Sequence, residues 1–106
     1  MREIEAVMAL GLLLWSGGLA HAEMDAERAR ELVHMLRHDC GSCHGLTLKG
    51  GLGPALLPED LAGLPRDGLV RIILDGVAGT PMPAWRGLLD EEEATWLTDK
   101  LQEGLD

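Results

Sequence analysis

The chain has 106 residues, enough for one small domain. Nine Lys and Arg face eighteen Asp and Glu, a net charge of −9, which argues against a nucleic-acid partner because nothing could neutralise phosphates. There is no Phe or Tyr and only three Trp, against fourteen Gly, so the chain by itself promises a thin core and needs something large and apolar to complete it.

The chain opens on an apolar run, AVMALGLLLWSGGLAHA (6–22), that ends in Ala20-His21-Ala22. This is the pattern of a secretory signal with a small-residue cleavage site, and cleavage after Ala22 is expected. Gly17 and Gly18 interrupt the run, leaving it short of the ~20 apolar residues a membrane span needs. The alternative is an uncleaved anchor, the one route by which this chain would touch a membrane. The leading MREIE departs from the usual basic start, having one arginine and two glutamates. Residues 23–106 then form one exported, periplasmic domain; without Arg2, Glu3 and Glu5 it keeps eight basic and sixteen acidic residues, net −8.

A first helix is predicted over Asp25–Asp39. Ala29, Leu32, Val33 and Leu36 form an apolar stripe at helical spacing, Asp25 is a suitable N-cap, and Glu27 suits the first turn. His34 and His38 fall on the solvated side. Cys40 extends the apolar stripe, so the segment HDCGSCHG (38–45) opens on the buried side of the helix.

That segment is the most informative in the chain. A thiol–disulfide enzyme would place C-x-x-C after a strand in a βαβ setting, whereas here a helix precedes it. A zinc site needs about four ligands, and Cys40, Cys43 and His44 lack a well-spaced fourth. A structural disulfide across two residues would close too short a loop to stabilise much. C-x-x-C-H matches c-type haem attachment: two thiols a helical turn apart reach the two porphyrin vinyl groups, and the adjacent His44 presents its imidazole to the iron as proximal ligand.

GLTLKGGLGPALLPEDLAG (45–63) is punctuated by Gly and Pro and reads as irregular chain around something, with one helical turn near 58–62. A second helix is predicted over Arg66–Leu74, with Leu69, Val70, Ile72 and Ile73 inward and Asp75-Gly76 closing it. In GTPMPAW (79–85), Met82 stands between two prolines, too rigid a setting for a gap-filling core methionine. It is expected to be the second iron ligand, with Met35 as competitor. The last helix should begin at Asp90, where Glu93 completes a capping box, and bury Ala94, Leu97 and Leu101 with Trp96 at the edge. The acidic run 90–93 reads as a solvated helix start rather than a docking patch.

Cys40-Gly41-Ser42-Cys43-His44-Gly45, Gly53-Pro54-Ala55-Leu56, Ile73-Leu74-Asp75-Gly76 and Gly79-Thr80-Pro81-Met82-Pro83-Ala84-Trp85 resemble class I cytochrome c in order and spacing, and LLDEEEATWLTDKL resembles that family's last helix. More narrowly, residues 40–63 and 73–85 are similar to the cytochrome c55X family, small periplasmic cytochromes encoded with dissimilatory cytochrome cd-type nitrite reductase. The resemblance implies an all-α fold of three main helices and loops around one covalent haem c. It also implies that the Pro54 carbonyl accepts the other ring N–H of His44, that Gly53 allows a close backbone approach, and that Trp85 packs on the haem or donates to a propionate. The first and last helices would cross, Leu32 and Val33 meeting Leu97 and Trp96. Lys100 stands where the family often has an aromatic, with Trp96 taking over its packing.

With His44 and Met82 both on iron, no coordination position is left for a substrate, so no turnover is expected and Cys40 and Cys43 serve as thioether attachments. The expected role is a monomeric one-electron carrier between redox proteins, with a quinol-side or cytochrome donor and the cytochrome cd-type nitrite reductase of denitrification as acceptor. Two alternatives are a haem-bearing factor in maturation of that reductase's haem d cofactor and, from another class, a thiol–disulfide oxidoreductase.

Overall fold

A computed structural model describes residues 24–105, and among these every regular element is helical. The expected signal segment, 1–22, lies outside the described residues. No described helix is long and apolar enough to cross a membrane.

Helix α1 (Ala26–Met35) starts where Asp25 Oδ2 accepts a hydrogen bond from the Arg28 backbone N–H at 3.3 Å, with Glu27 in its first turn. It does not stop near Asp39. A π-helical turn, Leu36–Cys40, continues it into α2 (Gly41–His44). The longer run has a local cause: Ser42 Oγ donates to the Asp39 carbonyl at 2.7 Å, and the backbone stays right-handed helical until Gly45, at φ 95°. The π turn shifts the register between Leu36, fully buried, and the two cysteines, both half-buried. Such turns are rare and concentrate at functional sites.

The Gly-rich segment after α2 doubles back on it. Gly50 N–H donates to the His44 carbonyl at 2.7 Å, and Gly53 N–H to the Cys43 carbonyl at 2.8 Å. The expected turn near 58–62 is α3 (Pro58–Leu61), with Pro58 in the first turn, where its missing N–H costs nothing. Helix α4 (Arg66–Asp75) ends at Gly76. Helix α5 (Glu91–Glu103) has the expected reciprocal cap: Glu93 N–H donates to Asp90 Oδ1 at 2.7 Å and Asp90 N–H to Glu93 Oε1 at 3.0 Å.

Helices α1, α3 and α4 all pack on α5. Leu32, Leu36, Val70, Leu74, Ala94, Leu97 and Leu101 form the core between them, joined by Leu48, Leu61 and Leu89 from the connections. A fully buried leucine contributes roughly 1.5–3 kcal/mol, so this aliphatic cluster is modest. The other oxygen of Glu93 accepts from Arg28 Nε at 2.6 Å, tying the start of α5 to α1, and Arg66 grips Asp99 with two bonds of 2.7 Å, tying α4 to α5. Trp96 is half-buried against the core, with the Lys100 ammonium 5.2 Å from its ring centre, so the lysine covers the indole rather than replacing an aromatic.

One expectation about α4 needs correction. Ile72 is not buried but 42% exposed, and Leu69 and Ile73 are half-buried; the buried positions are Val70 and Leu74. The helix has two apolar faces. Val70 and Leu74 belong to the core, whereas Leu69, Ile72 and Ile73 border a cavity.

Candidate cofactor site

That cavity has a volume of about 790 Å³, within the range of small-molecule and cofactor sites. Its wall is made mostly of aliphatic side chains from every helix and both long loops. Cys40, Cys43, His44, Pro54, Met82 and Trp85, scattered over 46 positions of the sequence, all line it.

His44 is the best-defined member. Its Nδ1 lies 2.7 Å from the Pro54 carbonyl oxygen. A carbonyl can only accept, so Nδ1 carries the proton and Nε2 keeps a free lone pair, as a metal ligand requires. Two features hold the ring there. The Gly53 and Gly50 bonds to the end of α2 deliver Pro54 beneath it. In addition, a side chain at Gly53 would put a Cβ 2.8 Å from Cε1 and Nδ1, so only glycine lets the backbone pass the imidazole.

Cys40 and Cys43 are free thiols. Burial, and secondarily the neighbouring Asp39 carboxylate, push the Cys40 thiol up to about 11. Such a thiol is protonated at neutral pH and is a poor nucleophile, the reverse of what a dithiol oxidoreductase needs.

Met82 is half-buried in a loop latched to itself and to α4. Thr80 Oγ1 accepts from the Met82 N–H at 3.2 Å and donates to the Val77 carbonyl at 2.8 Å. Trp85 N–H donates to the Ile73 carbonyl at 3.1 Å and Arg86 N–H to that of Leu74 at 3.0 Å, while the Arg86 guanidinium holds Asp75 by two bonds. Met35 also lines the cavity, so both thioethers face the same space. Met35 is held by the backbone of α1 and Met82 by the latch of its loop.

Thr98 is a wall residue that pattern reading passes over. It is fully buried on α5 and satisfies its hydroxyl on the Ala94 carbonyl at 2.9 Å. Its spacing from Ala94, Leu97 and Leu101 puts it on the buried stripe, and only its polar side chain hides it; the bond to its own helix lets the hydroxyl fit an apolar wall. His34 and His38 are exposed as expected, their ring centres 4.2 Å apart on α1 and the π turn.

Residues 25–99 match the family described as cytochrome c oxidase, cbb3-type, subunit III. A protein of Pseudomonas aeruginosa, cytochrome c55X, is 59% identical over 87 residues, 82% of this chain and 73% of the relative. The chain belongs to the cytochrome c55X family of c-type cytochromes. Among solved structures, the c-type cytochrome NirC superposes with a TM-score of 0.75 at 58% identity, covering 76% of this chain and 95% of that one. The dihydro-heme d1 dehydrogenase NirN, solved in complex with DHE, superposes with a TM-score of 0.61 at 37% identity over 66% of this chain but only 15% of its own. Family membership implies haem c, and the cavity fits it: an apolar enclosure that offers two thiols, an imidazole with a free Nε2 and a thioether.

Proposed function

We propose that this cytochrome is a periplasmic one-electron carrier serving dissimilatory nitrite reduction. One haem c would be held by thioethers from Cys40 and Cys43, with His44 as proximal and Met82 as distal ligand. Pro54 would orient His44, and Trp85 would pack in the pocket. When bound, the haem supplies a reversible Fe(III)/Fe(II) couple. The chain's own residues then do three things. The Pro54 carbonyl fixes the tautomer and orientation of the imidazole. A soft methionine sulfur favours Fe(II) and raises the potential. The leucine- and isoleucine-lined wall keeps water away and disfavours the more highly charged ferric state.

The observation that carries this reading is the convergence of all six residues on one cavity, with His44 Nε2 left free. The test is the visible spectrum of the exported, haem-loaded protein in both oxidation states, together with its mass after denaturation. Haem mass retained on denaturation, a sharp reduced α-band and a far-red band when oxidised are expected. Met82→Ala should abolish the far-red band and Met35→Ala should leave it; the opposite pattern would transfer the ligand role to Met35.

A second reading draws on a specific likeness. The same module forms part of a dihydro-heme d1 dehydrogenase. A free copy could take electrons one at a time from such an oxidation, which would link this chain to maturation of the haem d cofactor. Reduction of the oxidised cytochrome by that dehydrogenase and its substrate, with no electron transfer to nitrite reductase, would favour this role over the carrier.

A further inference from the structure

We propose that Gly76 is a positioning residue for Met82: its missing side chain lets the Met82–Ala84 backbone lie against the end of α4 and so sets where the thioether stands in the cavity. This rests on the reading of Met82 as a ligand.

The two segments meet in a seam. On one side of Gly76, the Ile73 and Leu74 carbonyls accept from Trp85 and Arg86; on the other, the Val77 N–H donates to the Met82 carbonyl at 3.3 Å. Gly76 sits between these bonds at φ 70°. A Cβ there would stand 2.7 Å from the Met82 carbonyl oxygen, 2.8 Å from the Pro83 carbonyl carbon and 2.9 Å from the Ala84 nitrogen. All three are backbone atoms, so no side chain can swing aside. Ordinary contact starts at 3.4 Å, so the loop would have to retreat by 0.7 Å at its tightest point. That exceeds the ~0.5 Å within which a preorganised site keeps its geometry. The nearest of the three atoms is the carbonyl oxygen of Met82 itself, so the retreat would carry the methionine with it.

Gly63 supplies the control. It has φ 81°, but nothing lies within 4 Å of where its Cβ would be, so it shares the positive φ without the close approach. Gly76 combines its φ of 70° with a ψ of −170°, a region essentially confined to glycine, so alanine and asparagine each bring both a Cβ and a backbone penalty there.

The experiment uses haem-loaded protein carrying Gly76→Ala, Gly76→Asn, Gly63→Ala, Gly63→Asn or Met82→Ala. Readouts are haem mass after denaturation, the far-red band and the midpoint potential. Both Gly76 variants should keep covalent haem, lose most of the far-red band and fall in potential toward Met82→Ala, while both Gly63 variants should match the parent. A normal band in either Gly76 variant would show that the loop accommodates a Cβ there and overturn the proposal. Failure to recover haem-loaded Gly76 variants alongside normal Gly63 variants would make Gly76 a folding residue and overturn it equally. A far-red band surviving in Met82→Ala would sink the ligand reading itself. Loss of the band in Met82→Ala with a full band in Gly76→Ala would leave that reading intact and remove only this inference.

Discussion

Gly53 and His44 show how much of this site is set by what a side chain leaves out. The backbone at Gly53 passes so close to the imidazole that a methyl group would overlap two ring atoms, and this passage brings the Pro54 oxygen to Nδ1. Gly53 has no positive φ, so alanine there carries no backbone penalty and tests the contact alone. Gly53→Ala should lower stability by about 1–3 kcal/mol, the usual cost of overpacking, measured by denaturant titration of the haem-loaded protein. If the ring relieves the clash by swinging away, the bond to Pro54 weakens, the imidazole becomes a poorer donor to Fe(III) and the midpoint potential rises. A variant of parental stability and potential would mean that the loop yields and the close approach is not needed.

At the scale of elements, sequence reading succeeded where a local rule governs and failed where the cavity does. Asp90 and Glu93 announce α5 because a capping box is complete within four residues, and Arg66 to Asp75 is bracketed by Pro65 and Gly76. The C-x-x-C-H segment and Met82 stood out for the same reason, a short local pattern, whereas Pro54 entered only through the family resemblance; all of them line the one cavity. The two-faced character of α4 was not, because Leu69, Ile72 and Ile73 face a space meant for a group absent from the amino-acid sequence. Nor was the continuation of α1 through a π turn: the expected helix closed at Asp39, whereas Ser42 bonded to the Asp39 carbonyl carries it on to His44.

Glu93 illustrates how one side chain can serve two elements. One oxygen caps α5, and the other receives Arg28 from α1. The Arg28 guanidinium, more than the α5 cap, holds the Glu93 carboxyl below its ordinary 4.5. A carboxylate depressed in the folded state stabilises fully above the unfolded value and loses that contribution as pH falls through the folded one. Glu93→Gln keeps an oxygen able to cap α5 but loses the charge facing Arg28, so it should cost about 0.2–1 kcal/mol near neutrality, the usual worth of a partly exposed ion pair. The gap between parent and variant should close as pH drops below about 4.5, where unfolded Glu begins to take up protons. A gap of constant size down to pH 3 would show that the interaction does not depend on charge.

The whole molecule is a small aliphatic core built around a void. Its buried side chains are mostly leucine, and Met35 of α1, Leu69, Ile72 and Ile73 of α4, and Leu97 and Leu101 of α5 line the cavity. A domain of this size has little stability to spare. Replacing both Cys40 and Cys43 by alanine removes the proposed covalent attachment without touching the core residues. The resulting chain should lose much of its helical signal and its cooperative thermal transition, unless haem is supplied and held by His44 and Met82 alone. A cooperative transition in the haem-free variant would mean that the leucine cluster suffices, and that haem is cargo rather than part of the fold.

Charge acts at the same scale. Residues 24–105 carry eight basic and fourteen acidic side chains, and three of the arginines are already committed to carboxylates: Arg28 to Glu31 and Glu93, Arg66 to Asp99, and Arg86 to Asp75. What a partner meets is a negative field, which favours encounter with basic surfaces and repels acidic ones. The field reaches about 30 Å at 0.01 M salt but only about 10 Å at 0.1 M, so salt should separate the two cases. Electron transfer from the reduced cytochrome to a cationic oxidant, tris(bipyridine)cobalt(III), should slow several-fold between these salt concentrations. Transfer to anionic ferricyanide should speed up over the same range. Stopped-flow traces at a series of ionic strengths measure both. Equal and opposite slopes would mean that the net charge alone steers encounter. A much weaker slope for the cation would mean that the surface where electrons leave is locally neutral, and that partner selection rests on apolar contact around the cavity mouth.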